Sequence, residues 1–122
     1  MEQGFNDKYR KRTKDLCIGV IRMLPKGKRS EVYKIFSKQL IRSISSVAAN
    51  FRATCRAKSS NDYIYKLAVV IEELDESQFW LEMLIELKEI ESQKALIWMD
   101  EISNILAVFT SLHHNKKMNN VK

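Results

Sequence analysis

One proline, Pro25, and three glycines, Gly4, Gly19 and Gly27, are all the chain offers as helix breakers, and none stands beyond residue 27. Two cysteines, Cys17 and Cys55, fall in separate segments without Cys-x-x-Cys spacing, which excludes a zinc or thioredoxin-type motif readable from sequence. Both lie on apolar stripes and read as reduced core residues, for which cysteine is sterically suited. The two histidines, His113 and His114, are adjacent and near the C-terminal end, so the Glu-x-x-His pairs of di-iron bundles are missing. No glycine-rich phosphate loop is present, and no serine has a base nearby in sequence. The uncharged run over residues 102–114 is too short and too polar for a membrane span. Residues 1–14 lack the apolar stretch that a secretory signal carries after its basic start. These absences lead to the expectation of a cytoplasmic protein that is not an enzyme, with no cofactor, no metal and no membrane partner.

What is present is helix-forming sequence in quantity. With 122 residues, 45% of them apolar and 30% charged, the chain reads as one globular domain over residues 1–122. A first helix is expected over about residues 6–24, where Tyr9, Thr13, Leu16, Val20 and Met23 alternate at spacings of four and three. Pro25 and Gly27 end it, because proline cannot continue the ladder and glycine accepts the positive φ common past a helix end. A second helix, 30–57, begins at Ser30 as N-cap and buries Phe36, Leu40, Ile44, Val47, Phe51 and Cys55. The third, 60–87, is capped by Ser59 or Ser60, carries Asp62 in its first turn and has the stripe Leu67, Ile71, Leu74, Gln78, Leu81 and Ile85. The fourth, 92–113, turns Ala95, Met99, Ile102, Leu106 and Phe109 inward, and residues 115–122 form a frayed tail. Long helices with short connections must lie antiparallel, so the fold class is all-α, an antiparallel up-down-up-down four-helix bundle.

One bundle face per helix does not account for all the apolar residues. The third helix has a second face made of Tyr65, Val69, Trp80, Met83 and Leu87, and the fourth has Trp98, Ile105, Val108 and Leu112 off its main stripe. On the second helix, Ser43, Ser46, Asn50, Ala53 and Ala57 make a line of small side chains through which another helix can approach closely. These surfaces are candidate seams of a closed homo-oligomer. The alternative is that wide apolar faces enlarge one core.

Charge is divided unevenly. Residues 1–60 hold 15 Lys and Arg against 4 Asp and Glu, whereas residues 61–122 hold 6 against 11. Lys34, Lys38, Arg42, Arg52 and Arg56 fall within roughly 80° on the helical wheel, opposite the core stripe, and Lys8, Arg10, Lys11, Arg12 and Lys14 extend the field from the first helix. Repeated cations displace counterions from a phosphate backbone, so the ridge is a candidate RNA- or DNA-binding surface without sequence specificity. The competing reading is a solvated face partly neutralised by the acids of the third helix. Of those, Glu72 and Glu76 are expected to pair with arginines of the second helix, Arg42 being the best placed.

The run QLIRSISSVAAN, with Gln39, Leu40, Arg42, Ser43, Ser46, Val47, Ala49 and Asn50, and the run from Glu72 to Glu82, with Glu73, Leu74, Asp75, Glu76, Phe79, Trp80 and Leu81, are similar to two motifs of one family. The chain resembles the four-helix-bundle proteins encoded in intervening sequences of bacterial 23S rRNA genes, over nearly its whole length. The resemblance implies a barrel-shaped homopentamer. Through distant relatives, the accessory variability proteins of diversity-generating retroelements, it also implies partners among nucleic acids and nucleic-acid-processing proteins. Two positions depart from the family pattern: Ala48 replaces a glycine, and Ala53 stands where a glutamate is common, so any contact made by that glutamate is absent.

Overall fold

A computed structural model of the protein describes residues 2–120. It consists of four helices, α1 (Glu2–Met23), α2 (Glu31–Thr54), α3 (Ser60–Glu86) and α4 (Ser92–Asn120), with no strand among the described residues. Local chemistry sets most of the ends. Gly27 takes a φ of 94° in the turn after Pro25. Ser30 caps α2 by accepting from the Tyr33 amide at 3.0 Å, and Ser59 caps α3 by accepting from the Asp62 amide at 3.1 Å. At the far end of α3 the chain reverses through Lys88, which has a φ of 59°. Its amide and that of Glu89 return to the carbonyls of Ile85 and Leu84, the paired closure usually made with glycine.

Two ends lie beyond the sequence expectation. Helix α1 begins at Glu2 rather than near residue 6, because Phe5 joins an aromatic cluster with Tyr9, Phe51 and Phe109, its ring 4.6 Å from that of Tyr9. Helix α4 runs to Asn120 instead of fraying after residue 114. Asn120 accepts from the Ser60 hydroxyl and donates to Asn61 at 2.6 Å, which ties the last turn to the start of α3. Residues 121–122 of the expected tail lie outside the described residues. By length and composition α4 is also apolar enough to cross a membrane, contrary to the sequence reading. A core helix meets the same criterion, and α4 buries Ala95, Ile102, Ile105 and Phe109 in this bundle.

Ser30, the N-cap of α2, donates to Glu89 just past α3, while Ser43 meets Ser77 further along, so α2 and α3 run antiparallel. Gln78 meets Ser103 and Asn61 meets Asn120, so α3 and α4 do too. Among the described residues α1 packs on α2 and α4, and α3 packs on α2 and α4, with the core between them. Leu16, Leu40, Ile44, Phe51, Leu67, Leu74, Leu81, Ile102 and Phe109 are fully enclosed there. Each such side chain contributes about 1.5–3 kcal/mol by leaving water. The buried row of α3 is Tyr63, Leu67, Val70, Leu74, Ser77, Leu81 and Leu84. Ile71, Gln78 and Ile85, expected in that row, are half-buried, Gln78 donating to Ser103 of α4. Ile105 is fully buried, and the partly buried Trp98, Val108 and Leu112 pack against the core, so these residues widen this bundle, while Leu96 and Ile97 of the same helix are exposed. The Trp98 ring fits only because residue 19 has no side chain: a Cβ there would come within 2.1 Å of it.

Candidate functional site

The structure does not keep together all the basic residues expected to act as one field. Lys34, Lys38 and Arg52 on α2 and Arg56 in the turn after it are exposed and have no ion pair among the described residues. Arg42 leaves this ridge. It lies toward α3, its guanidinium nitrogens 3.5 Å from Glu73 Oε2 and 3.3 Å from Glu76 Oε1. Arg12 also departs from the field of α1, donating through both arms of its guanidinium to Glu101 of α4 at 2.8 Å. Those hydrogen bonds hold its pKa above the ordinary arginine value. Lys8 stands over the Tyr9 ring at 5.5 Å.

The remaining cations of α1 meet those of α2. Arg10, Lys11, Lys14, Arg52 and Arg56 rim a groove of about 760 Å³ whose floor is Ser45, Ala48 and Ala49. Small side chains on α2 keep this floor low, and the helix period turns the long basic side chains up on either side. Two acids stand beside it: Asp7 pairs with Arg10, and Asp15 with Lys11 at 2.7 Å. Lys14, Arg52 and Arg56 have no acidic partner among the described residues, so the groove keeps an excess of positive charge. The floor was missed from sequence. Its signal was present in the small residues 45, 48 and 49, lying between cations at helical spacing.

The acidic cluster turns out to be a hub of α2–α3 packing. Arg42 bridges Glu73 and Glu76, while Glu72 is exposed and makes no ion pair among the described residues, so Glu73 takes the place expected of Glu72. Glu73 is 8% exposed, and its Oε2 has no hydrogen bond. The neighbouring Glu73 carboxyl, followed by burial, raises the pKa of Glu76 above the usual glutamate value. Burial likewise raises both thiols, Cys17 and Cys55.

Of the expected seam residues, Ser43 is fully buried inside the chain and accepts a hydrogen bond from Ser77 at 2.8 Å. The line of small residues therefore serves α3 of the same chain at that point, and Ser43 has no surface to give a second subunit. Ser46 is bonded by the Asn50 amide, Ala57 packs on the core, and Ala53 is exposed. On α3, Trp80 is half-buried with its ring 5.3 Å from that of Phe36, and Val69 and Met83 are half-buried. Tyr65 and Leu87, at opposite ends of α3, are exposed, as are Phe79 of α3 and Val32 and Ile35 of α2.

The family described as 23S rRNA-intervening sequence protein matches residues 6–111. A crystal structure of a protein with unknown function, from the S23 ribosomal protein family of Bacteroides thetaiotaomicron, is similar at a TM-score of 0.77 and 22% identity. The similarity covers 93% of this chain and 99% of that one. A comparison with curated proteins gives no significant match.

Proposed function

From its membership of the 23S rRNA-intervening sequence protein family, we propose that the chain is a non-enzymatic, cytoplasmic homo-oligomer, a pentamer by the family resemblance, that binds RNA or DNA without sequence specificity. The observation that carries this reading is the groove in which Lys14, Arg52 and Arg56 stand without acidic partners beside Arg10 and Lys11. Phosphate is the ligand chemistry such a site favours, since each neutralised phosphate releases condensed counterions. The reading is one of backbone contact, since the long flexible cations of the groove accompany no recognised base-reading motif. Oligomerisation draws support from the exposed apolar residues Val32, Ile35, Tyr65, Phe79 and Leu87 of α2 and α3.

The test is a salt-titrated mobility shift with mixed-sequence RNA and DNA. Binding is expected at low salt, with affinity falling by roughly the 0.9 power of salt concentration per phosphate neutralised on duplex. Lys34→Glu with Lys38→Glu should weaken it, and absence of any shift at low salt would overturn it. Light scattering that gives a stable 14.3 kDa monomer at micromolar concentration would remove the oligomer.

A second reading is favoured by the Arg42 contacts with Glu73 and Glu76, which neutralise one ridge cation within the chain. On it the protein is a structural or adaptor oligomer that contacts an acidic or nucleic-acid-processing protein and no nucleic acid. Retention of that partner after nuclease treatment, with no salt-sensitive shift, would select it.

A further inference from the structure

Resting on the nucleic-acid reading above, we infer that the ligand is a duplex laid along α2, with Lys34 and Lys38 gripping one crossing of its backbone and Arg52 and Arg56 the next. Lys34 and Arg52 are 18 residues apart, as are Lys38 and Arg56. At 3.6 residues per turn that is about five whole turns, so Lys34 and Arg52, both within α2, leave the helix axis in the same direction, about 27 Å apart, and Arg56 stands in the turn just past the helix end, in the same groove as Arg52. All four side chains are exposed. Both clusters have cationic neighbours: Lys28, Arg29 and Lys88 line a depression with Lys34 that also holds Glu89, and Lys14 shares the groove with Arg52 and Arg56.

The stretch between the clusters discriminates between ligands. On that side of α2 it carries Ile41, Ser45, Ala48 and Ala49, all uncharged, while Arg42 is drawn away to the carboxylates of α3. A single strand tracked along this face would need cations throughout and rings on which its bases could stack. Among the described residues the exposed aromatics are Tyr65 and Phe79, both on α3. A duplex makes the opposite demand. A straight rod lying on it meets backbone, then a groove where phosphates recede, then backbone again, within a repeat of about 34 Å. Two cationic clusters about 27 Å apart with a neutral interval match that alternation. The flexible Lys and Arg side chains span the remaining difference.

Duplex RNA and duplex DNA share this backbone chemistry, and the experiment separates them. Fluorescence anisotropy at low salt would use a duplex of about 16 base pairs in RNA and in DNA, their single strands, and a hairpin stem of about 5 base pairs, too short to reach both clusters. Duplexes are expected to bind about tenfold or more tighter than single strands of equal length. The RNA-to-DNA ratio identifies the source. Lys34→Glu with Lys38→Glu, and separately Arg52→Glu with Arg56→Glu, should each weaken the long duplex about tenfold, yet change the short stem by no more than about twofold. Glutamine replacements serve if charge reversal perturbs folding, which circular dichroism would report. Single strands binding as tightly as duplexes, or one cluster proving dispensable for the long duplex, would overturn the inference. Failure of every nucleic acid to bind would instead overturn the function on which it rests.

Discussion

Ser77 of α3 donates its hydroxyl to Ser43 of α2 at 2.8 Å, with both side chains shielded from solvent. Ser43 in turn donates to the Leu40 carbonyl, so neither hydroxyl is left unsatisfied in the interior. Two small residues face to face let these helices approach closely, and Arg42 and Glu76 fall beside each other on the neighbouring positions.

Enlarging either serine should force the helices apart. Ser43→Leu is expected to destabilise the fold by about 1–3 kcal/mol through overpacking. Ser43→Ala should cost only about 1 kcal/mol, the net worth of one hydrogen bond. Urea denaturation of the two variants checks the ordering.

Gly19 and Trp98 form a second tight fit, between α1 and α4. Alanine would normally stabilise a helix interior by about 1 kcal/mol over glycine. Here its Cβ would lie 2.1 Å from the Trp98 ring, so Gly19→Ala should be net destabilising. Adding Trp98→Leu should recover part of the loss, and thermal midpoints of the two single variants and the double variant would show it.

Lys88 occupies the left-handed region at a φ of 59°. Glycine removes that Cβ strain, worth about 1–2 kcal/mol, and gives back part of it in unfolded-chain entropy. Lys88→Gly should therefore raise stability by up to about 1 kcal/mol, again by urea denaturation.

Arg42 touches two carboxylates of different exposure. Its pair with Glu76 is half exposed, and such pairs are worth about 0.2–1 kcal/mol. Glu73 is nearly buried, so Arg42→Ala should also incur the cost of leaving a desolvated charge without its cation. A double-mutant cycle is expected to give a larger coupling for Arg42 with Glu73 than for Arg42 with Glu76. Strict additivity in both cycles would mean these contacts are not made in solution.

The raised Glu76 pKa has a definite sign in stability. Between the ordinary glutamate value and its raised folded value the native state binds more protons than the unfolded chain, so stability falls as pH rises through that window. Asp62 is opposite: the hydrogen bond from Lys66, then that from the Lys58 amide, lowers its pKa. Its contribution is present above the ordinary aspartate value and lost as pH falls through the lowered one. Thermal midpoints against pH should lose the first dependence in Glu76→Gln and the second in Asp62→Asn.

Helix placement was legible because it is local. Ser30, Ser59, Pro25 and Gly27 act on the residues beside them, and α2 and α3 end within a few residues of expectation. The pairing of Arg42 with Glu76 was legible too, from opposite charge and the cost of leaving a buried charge unpaired. The extension of α4 was not, because it depends on Asn120 meeting Ser60 and Asn61 across 59 or more positions of sequence. Nor was Arg12, adjacent to Lys11 in the chain but committed to Glu101 on another helix.

Taken alone, the amino-acid order determined four helices, their caps and the angular position of every side chain on its own helix, because these follow from backbone geometry within a few residues. The tertiary structure decided which neighbour fills each angle. It assigned Ser43 to α3, Arg42 to the carboxylates and Trp98 to the space above Gly19, and it set Arg10, Lys11 and Lys14 across a groove from Arg52 and Arg56. The physical reason is that helical periodicity specifies a direction, whereas burial and ion pairing depend on the distance between helices, which only their packing sets.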